Sequence, residues 1–251
     1  MPPRLVLLLS AAFLGACSPP RATPALTVAA AANLTGVLAE AGPAFRAKTG
    51  IEVVFSYGPT AELAQQIDHG GPFDLFAAAD TGHVDALIAS GKLARESRAV
   101  YALGQLALWV PPGGPGAIEK PDDLARPQVR FIAVAQPALA PYGQASVEAL
   151  QALRIWNEVQ PKIVYSNSVS QAKQLAASGN ADAAFTAYSL VLHDSGRVLR
   201  IDPRLYAPIE QALAVASASP HAQNAGRFRA FLLGPEGRKI LEKNGYLLPP
   251  H

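Results

Sequence analysis

Apolar positions along the chain alternate between two patterns. Short apolar runs at 26–31, 51–56, 74–79, 102–110, 131–135, 163–165 and 183–187 read as buried strands, several of them rich in β-branched residues. Between them, apolar residues recur at helical spacing. Leu34, Val37, Leu38, Ala41 and Phe45 form one such face, ended by Gly50; Leu63, Ala64 and Ile67 form the next. Val84, Leu87 and Ile88 follow, with Asp80 placed to cap them. Val147, Leu150 and Leu153 mark a helix from Tyr142 onward, Ala172 and Leu175 another, and the tail at 227–246 reads as helical. Strands alternating with helices predict an α/β protein.

Polar residues punctuate this pattern at the strand ends. Asn33 follows the first run, Thr60 follows the Tyr57-Gly58-Pro59 turn, and Ser166-Asn167-Ser168 follows the run at 163–165. Each is a good helix N-cap. In an open α/β sheet, ligands sit beyond the carboxyl ends of the strands, where helix N-termini present unpaired N–H groups and partial positive charge. These residues therefore read either as an anion site or as the ordinary caps that every α/β protein needs.

The first 24 residues stand apart from the fold. Arg4 precedes a short apolar run at 5–13, well under the roughly 20 residues of a spanning helix. Leu14-Gly15-Ala16-Cys17 resembles the lipobox of bacterial lipoprotein precursors, in which Cys17 becomes the first mature residue and carries lipid. The alternative is an ordinary signal peptide cut elsewhere, with Cys17 incidental. Cys17 is the only cysteine, so no intramolecular disulfide forms. Residues 18–24 are Pro-rich and read as a tether.

Composition removes several function classes. Half the residues are hydrophobic and 16% charged, with a net charge of +2 and no basic stripe, which argues against nucleic acid as a partner. The five histidines form no metal-ligand pair, and there is no Gly-x-Ser-x-Gly elbow or phosphate-binding Gly-Lys-Ser/Thr loop. Asp122 and Asp123 are adjacent, so they point apart and suit a solvated turn or a helix start better than acid–base chemistry. The glycines at 113, 114 and 116 sit among prolines and read as a linker. A non-enzyme without cofactor or directly bound metal cation is expected.

Several segments together resemble the molybdate/tungstate-binding periplasmic proteins of ABC transporters. They are Val28-Ala29-Ala30-Ala31-Ala32-Asn33-Leu34, Ser56-Tyr57-Gly58-Pro59-Thr60, the stretch from Gly71 to Asp80, Tyr101 to Leu106, Pro137 to Gly143, Asn167 to Gln171, and the glycine-containing segments at 234–237 and 245–246. The resemblance covers nearly all of the chain after the leader, in order. It implies a class II periplasmic-binding-protein fold, with two α/β lobes and a ligand cleft between them. The implied division is a leader at 1–17, a tether at 18–24, lobe I at 25–103 and 210–251, and lobe II at 104–209, with crossings near Gly104 and Ile209.

Carried over by position, Asn33, Thr60, Tyr142, Val169 and Ala32 would hold a tetrahedral oxyanion, with Ser168 and Tyr188 as further candidates. The ligand implied is molybdate or tungstate, with sulfate, phosphate, vanadate or chromate as alternatives on the same fold. The partner implied is a membrane ABC permease. A periplasmic monomer, anchored through a lipid on Cys17, is expected. Three departures bear on the donor set. Ala32 stands where some relatives carry a hydroxyl, Pro59 lacks an N–H, and Ala187 or Tyr188 aligns only loosely with a family tyrosine.

Overall fold

The computed structural model describes residues 25–114 and 118–249. The leader, the tether and Cys17 lie outside the described residues. The elements in order are β1 (Leu26–Ala31), α1 (Thr35–Thr49), β2 (Val53–Gly58), α2 (Thr60–Asp68), β3 (Leu75–Ala77), α3 (Gly82–Ala89), β4 (Ala99–Gly104) and β5 (Leu106–Val110). Then come β6 (Ile132–Ala135), α4 (Pro141–Ala152), α5 (Trp156–Val159), β7 (Ile163–Ser166), α6 (Val169–Ala177), β8 (Ala183–Ala187) and α7 (Tyr188–Val191). The last are β9 (Arg197–Arg200), β10 (Ile209–Val215), α8 (Ala222–Leu233) and α9 (Pro235–Lys243).

The strands form two five-stranded sheets built to one plan, in the orders β2-β1-β3-β10-β4 and β7-β6-β8-β5-β9. Each begins with three parallel strands. The fourth strand in each, β10 or β5, enters from the other sheet and runs antiparallel to its neighbours. The α/β class expected from the pattern is therefore the class observed, in two lobes.

Strand alternation places the core on both faces of each sheet. In the first lobe Leu26, Val28, Ala30, Leu75, Ala77, Leu213 and Val215 pack toward α1, α8 and α9. Ala29, Phe76, Ala212 and Ala214 turn the other way, toward α2 and α3. In the second, Leu106, Leu108, Ile132, Val134 and Phe185 join the larger core, while Ala107, Trp109, Ala133 and Ala184 face α6. Ala31, Ala32 and Ala79 of the first lobe pack into the second lobe's core, so apolar packing runs across the cleft.

The structure departs from the sequence pattern in identifiable places. The run at 102–110 is two strands, broken at Gln105, where the chain passes between sheets while staying extended. The Gln105 carbonyl accepts from Tyr188 N–H at 2.8 Å and its side chain donates to Gly245 O at 2.7 Å. β9 and β10 were not foreseen. β9 is a short edge strand flanked by arginines, and Glu210 and Gln211 interrupt the apolar run of β10, although Gln211 is fully buried. The C-terminal helical stretch is two helices, separated at Gly234. Asp122 and Asp123 do lie at a helix start, the first turn of a 3-10 helix at Pro121–Ala125, but Asp123 is buried rather than solvated: its carboxylate accepts from the N–H groups of Glu119 and Lys120 at 2.9 and 3.0 Å.

Candidate binding site between the sheets

Each parallel trio contributes two strand-to-helix junctions to the cleft. From the first lobe come β1 to α1 and β2 to α2; from the second, β6 to α4 and β7 to α6. All four helix starts meet around one small cavity of about 10 Å³, lined by Ala31, Ala32, Asn33, Pro59, Thr60, Ala79, Pro141, Tyr142, Ser168 and Val169 among others. Such a cavity has room for roughly one water, so an oxyanion needs the lobes slightly further apart. The runs of alanine at 29–32 and 77–79 keep these strand ends thin enough for four helices to converge.

The chemistry of the lining is donor-rich and uncharged. The first N–H groups of a helix have no intrahelical acceptor. At these junctions they belong to Asn33, Thr60, Tyr142 and Val169. The chain reaches α1 through a 3-10 turn at Ala32–Leu34, so Asn33 lies within the turn rather than capping it. Thr60 is likewise the first residue of α2, and Pro59 is its N-cap, in the extended conformation that a cap takes (φ −61°, ψ 141°). Pro59 therefore removes no donor from the first turn.

Thr60 Oγ1 accepts from Ala79 N–H at 3.2 Å. That bond occupies a lone pair and leaves the hydroxyl hydrogen free for the cavity. Ser168 does cap α6, accepting from Gln171 N–H at 3.3 Å, and its hydroxyl hydrogen is free in the same way. No Asp, Glu, Lys, Arg or His lines this cavity.

Behind the lining runs a buried polar network that the sequence did not announce. Asn33 Nδ2 donates to Gln211 Oε1 at 2.9 Å and to the Tyr246 hydroxyl at 2.7 Å. Both amide hydrogens of Asn33 are thus engaged, leaving its backbone N–H for the cavity. The Tyr246 hydroxyl donates back to Asn33 O at 2.8 Å. Gln211 Nε2 donates to the Tyr142 hydroxyl at 2.9 Å, and the Tyr101 hydroxyl lies 2.9 Å from both Gln211 Oε1 and Ala78 O. Burial pushes the phenols of Tyr101 and Tyr142 well above their ordinary range and that of Tyr246 up to about 12, so all three stay neutral.

The lobes touch directly around the cavity. Ala61 N–H donates to Leu139 O at 3.3 Å and Ser170 Oγ to Ala32 O at 3.2 Å. Ser189 Oγ lies 3.0 Å from Asn33 O and 3.1 Å from the Tyr246 hydroxyl. The cleft is closed in this state. Carboxylates of Asp80, Glu148 and Glu210 line the pocket at one entrance, and Glu62 the other.

Of the residues singled out from sequence, Ala32, Asn33, Thr60, Tyr142, Ser168 and Val169 come together at this cavity. Tyr188 does not join them. Its N–H is bound to Gln105 O, and its ring packs on Gly245 and under Arg200, 5.6 Å from the guanidinium. Gln211, Tyr246 and Ser189 were missed. Gln211 carried a weak signal, a single amide inside an otherwise apolar run.

A family model for bacterial extracellular solute-binding proteins matches residues 26–247. The chain is 34% identical to the molybdate-binding protein ModA of Rhodobacter capsulatus, over 91% of this chain and 90% of that one. It is 33% identical to the molybdate-binding protein ModA of Azotobacter vinelandii, over 97% and 96%. The solved structure of the Azotobacter vinelandii periplasmic molybdate-binding protein superposes with a TM-score of 0.86 at 32% identity, covering 90% of this chain and all of that one.

Proposed function

The chain belongs to the bacterial extracellular solute-binding proteins, and from that footing we propose that it captures molybdate or tungstate outside the cytoplasm for an ABC importer. The observation that carries this reading is the convergence of four helix N-termini, two from each sheet, on a cavity lined by neutral donors. The backbone N–H groups of Asn33, Thr60, Tyr142 and Val169, with the Thr60 and Ser168 hydroxyls, are the proposed ligand set. Ala32 shapes the wall beside them.

A dianion suits this site better than a protonated anion. Phosphate at neutral pH carries a hydrogen that needs an acceptor, and no carboxylate lines the cavity. A charge-assisted hydrogen bond contributes about 1.5–3 kcal/mol. A set of such bonds sustains micromolar or tighter binding without a cationic side chain. Because each lobe holds only part of the set, the closed form binds the anion better, and capture and closure are one process. The lining carries the Thr60 and Ser168 hydroxyls but no carboxylate, imidazole or amine to activate them, which favours binding over turnover. The proposed division is lobe I at 25–103 and 210–251 and lobe II at 104–209, acting as a monomer that docks on a membrane permease. We place the protein in the cell envelope, anchored through lipid on Cys17. No described helix is long and apolar enough to cross a membrane.

Isothermal titration of the fragment beginning after Cys17 tests the reading with molybdate, tungstate and sulfate. One-to-one binding of the first two, with sulfate silent, supports it. Thr60→Val, which keeps the shape but loses the hydroxyl, is expected to weaken molybdate binding about 10- to 150-fold, the equivalent of one charge-assisted bond. Thr60→Ser is expected to retain it. Binding of sulfate instead would move the assignment to another oxyanion, and no heat with any of the three would end it.

A further inference from the structure

We propose that Gln211 is a positioning residue for the oxyanion site: from β10 it fixes the Asn33 and Tyr142 junctions in register across the cleft, although it does not line the cavity. The inference rests on the proposed function and extends it to how the donors are held.

Three observations point to this role. Gln211 is fully buried, and its side-chain amide is bonded to ligand-set residues of both lobes, Asn33 at 2.9 Å and Tyr142 at 2.9 Å. Its bonds use side chains, which leaves the Asn33 and Tyr142 backbone N–H groups for the cavity. The two ends of the amide are matched to their partners, so Oε1 accepts from Asn33 while Nε2 donates to Tyr142.

Its place in the sheet adds the mechanical argument. Gln211 pairs with Ala102 in the two-stranded ladder whose end, Gly104 opposite Ile209, is where both crossings leave the first lobe. Gly104 has no Cβ, and one there would stand 2.2 Å from the Tyr142 hydroxyl and 2.6 Å from Gln211 Nε2. The crossing backbone therefore presses on this hydrogen bond directly. A bond beside the crossings moves less on opening than the cleft-edge contacts of Ala61 and Ser170. It holds the start of α4 against the first lobe, so the Tyr142 N–H arrives aimed when the cleft shuts. A merely structural amide in the core would stabilise the fold without setting affinity; this one sets both.

The test uses Gln211→Met, Tyr142→Phe and the double variant, with the dissociation constant for molybdate and the ligand-free melting temperature measured for each. Gln211→Met is expected to weaken molybdate binding at least tenfold, chiefly through faster release. Tyr142→Phe, which keeps the ring and its N–H, is expected to weaken it at least fivefold. The double variant is expected to fall within threefold of the weaker single, because both changes break one linkage. Binding within twofold of wild type in folded Gln211→Met would overturn the inference, as would losses that multiply. If Gln211→Met does not fold, unchanged binding in Tyr142→Phe overturns it equally. Wild-type protein that ignores molybdate would defeat the functional reading instead, and that arm is read first.

Discussion

Replacing Gly104 by alanine is a sharp probe of the way the two lobes are joined. Its φ is not in the left-handed region, so the backbone accepts a side chain and any penalty is steric. The new Cβ would stand 2.2 Å from Tyr142 Oη, 2.8 Å from Tyr142 Cζ and 2.6 Å from Gln211 Nε2. Ordinary contact begins at 3.4 Å, so moving the hydroxyl from 2.2 to 3.4 Å is a retreat of about 1.2 Å. Tyr142 has little freedom to give. It is buried, and the next residue, Gly143, sits so close to β6 that a Cβ there would be 2.2 Å from Ala135 O. Overpacking costs about 1–3 kcal/mol, and separating a buried hydrogen-bonded pair costs about 1–3 kcal/mol more. A loss of about 2–6 kcal/mol in unfolding free energy is expected for the ligand-free protein in urea. Molybdate affinity is expected to drop at least tenfold in the same variant, since the Tyr142 N–H moves with its ring. A loss below about 1 kcal/mol, or full affinity in the folded variant, would refute the idea that this crossing presses on the Tyr142–Gln211 pair.

Gly226 offers the opposite case: it lies in α8 with nothing within 4 Å of an added Cβ, so Gly226→Ala should raise the unfolding free energy by about 0.5–1 kcal/mol, and a loss would contradict the open surroundings. His83 Nδ1–H donates to the Asp80 carboxylate at 2.7 Å, and this bond raises the His83 imidazole above its ordinary 6.5. A raised folded-state value means the contribution is complete below pH 6.5 and fades as the pH climbs through the raised value. The melting-temperature advantage of wild type over His83→Gln should therefore shrink from acid to alkaline pH, and a gap independent of pH would count against the pairing.

How much of this was legible follows from where each signal is written. The parallel trios were readable because both faces of β1, β3, β6 and β8 are buried, which leaves continuous apolar runs such as Leu26 to Ala31. The junction residues were readable as polar punctuation at the ends of those runs. Their exact capping role was not: an N-cap and a first-turn residue differ by one position, and Pro59 as well as Thr60 suits the start of α2. β10 escaped because its partners come from distant parts of the chain, β3 and β4, and burial of Gln211, between the exposed Glu210 and the buried Ala212, depends on hydrogen bonds that sequence cannot display. Gln211 is acceptable at zero exposure only because Asn33, Tyr101 and Tyr142 satisfy it, residues 69 to 178 positions away. Tyr188 sits just beyond β8, where a loose alignment put it near the site; the geometry turns it toward Gly245 instead.

The distribution of charge says what kind of selectivity the cleft can have. A site built on lysine or arginine would attract any anion, nucleotides included, and would reward charge before shape. Here Asp80, Glu148 and Glu210 stand at one mouth and Glu62 at the other, while the cavity itself holds no ionised group. The favourable energy therefore comes from short, directed N–H and O–H bonds inside. Stripping water from a dianion is expensive, so an anion that meets only some of the donors loses more than it gains. With three of the proposed donor groups on each lobe, two N–H groups and one hydroxyl, a half-closed cleft is such a partial fit. The physical consequence is a two-state device: open with the anion hydrated, or closed with its oxygens fully coordinated. Closure then reports ligand size as well as ligand presence, because only an anion that reaches both lobes at once recovers its hydration.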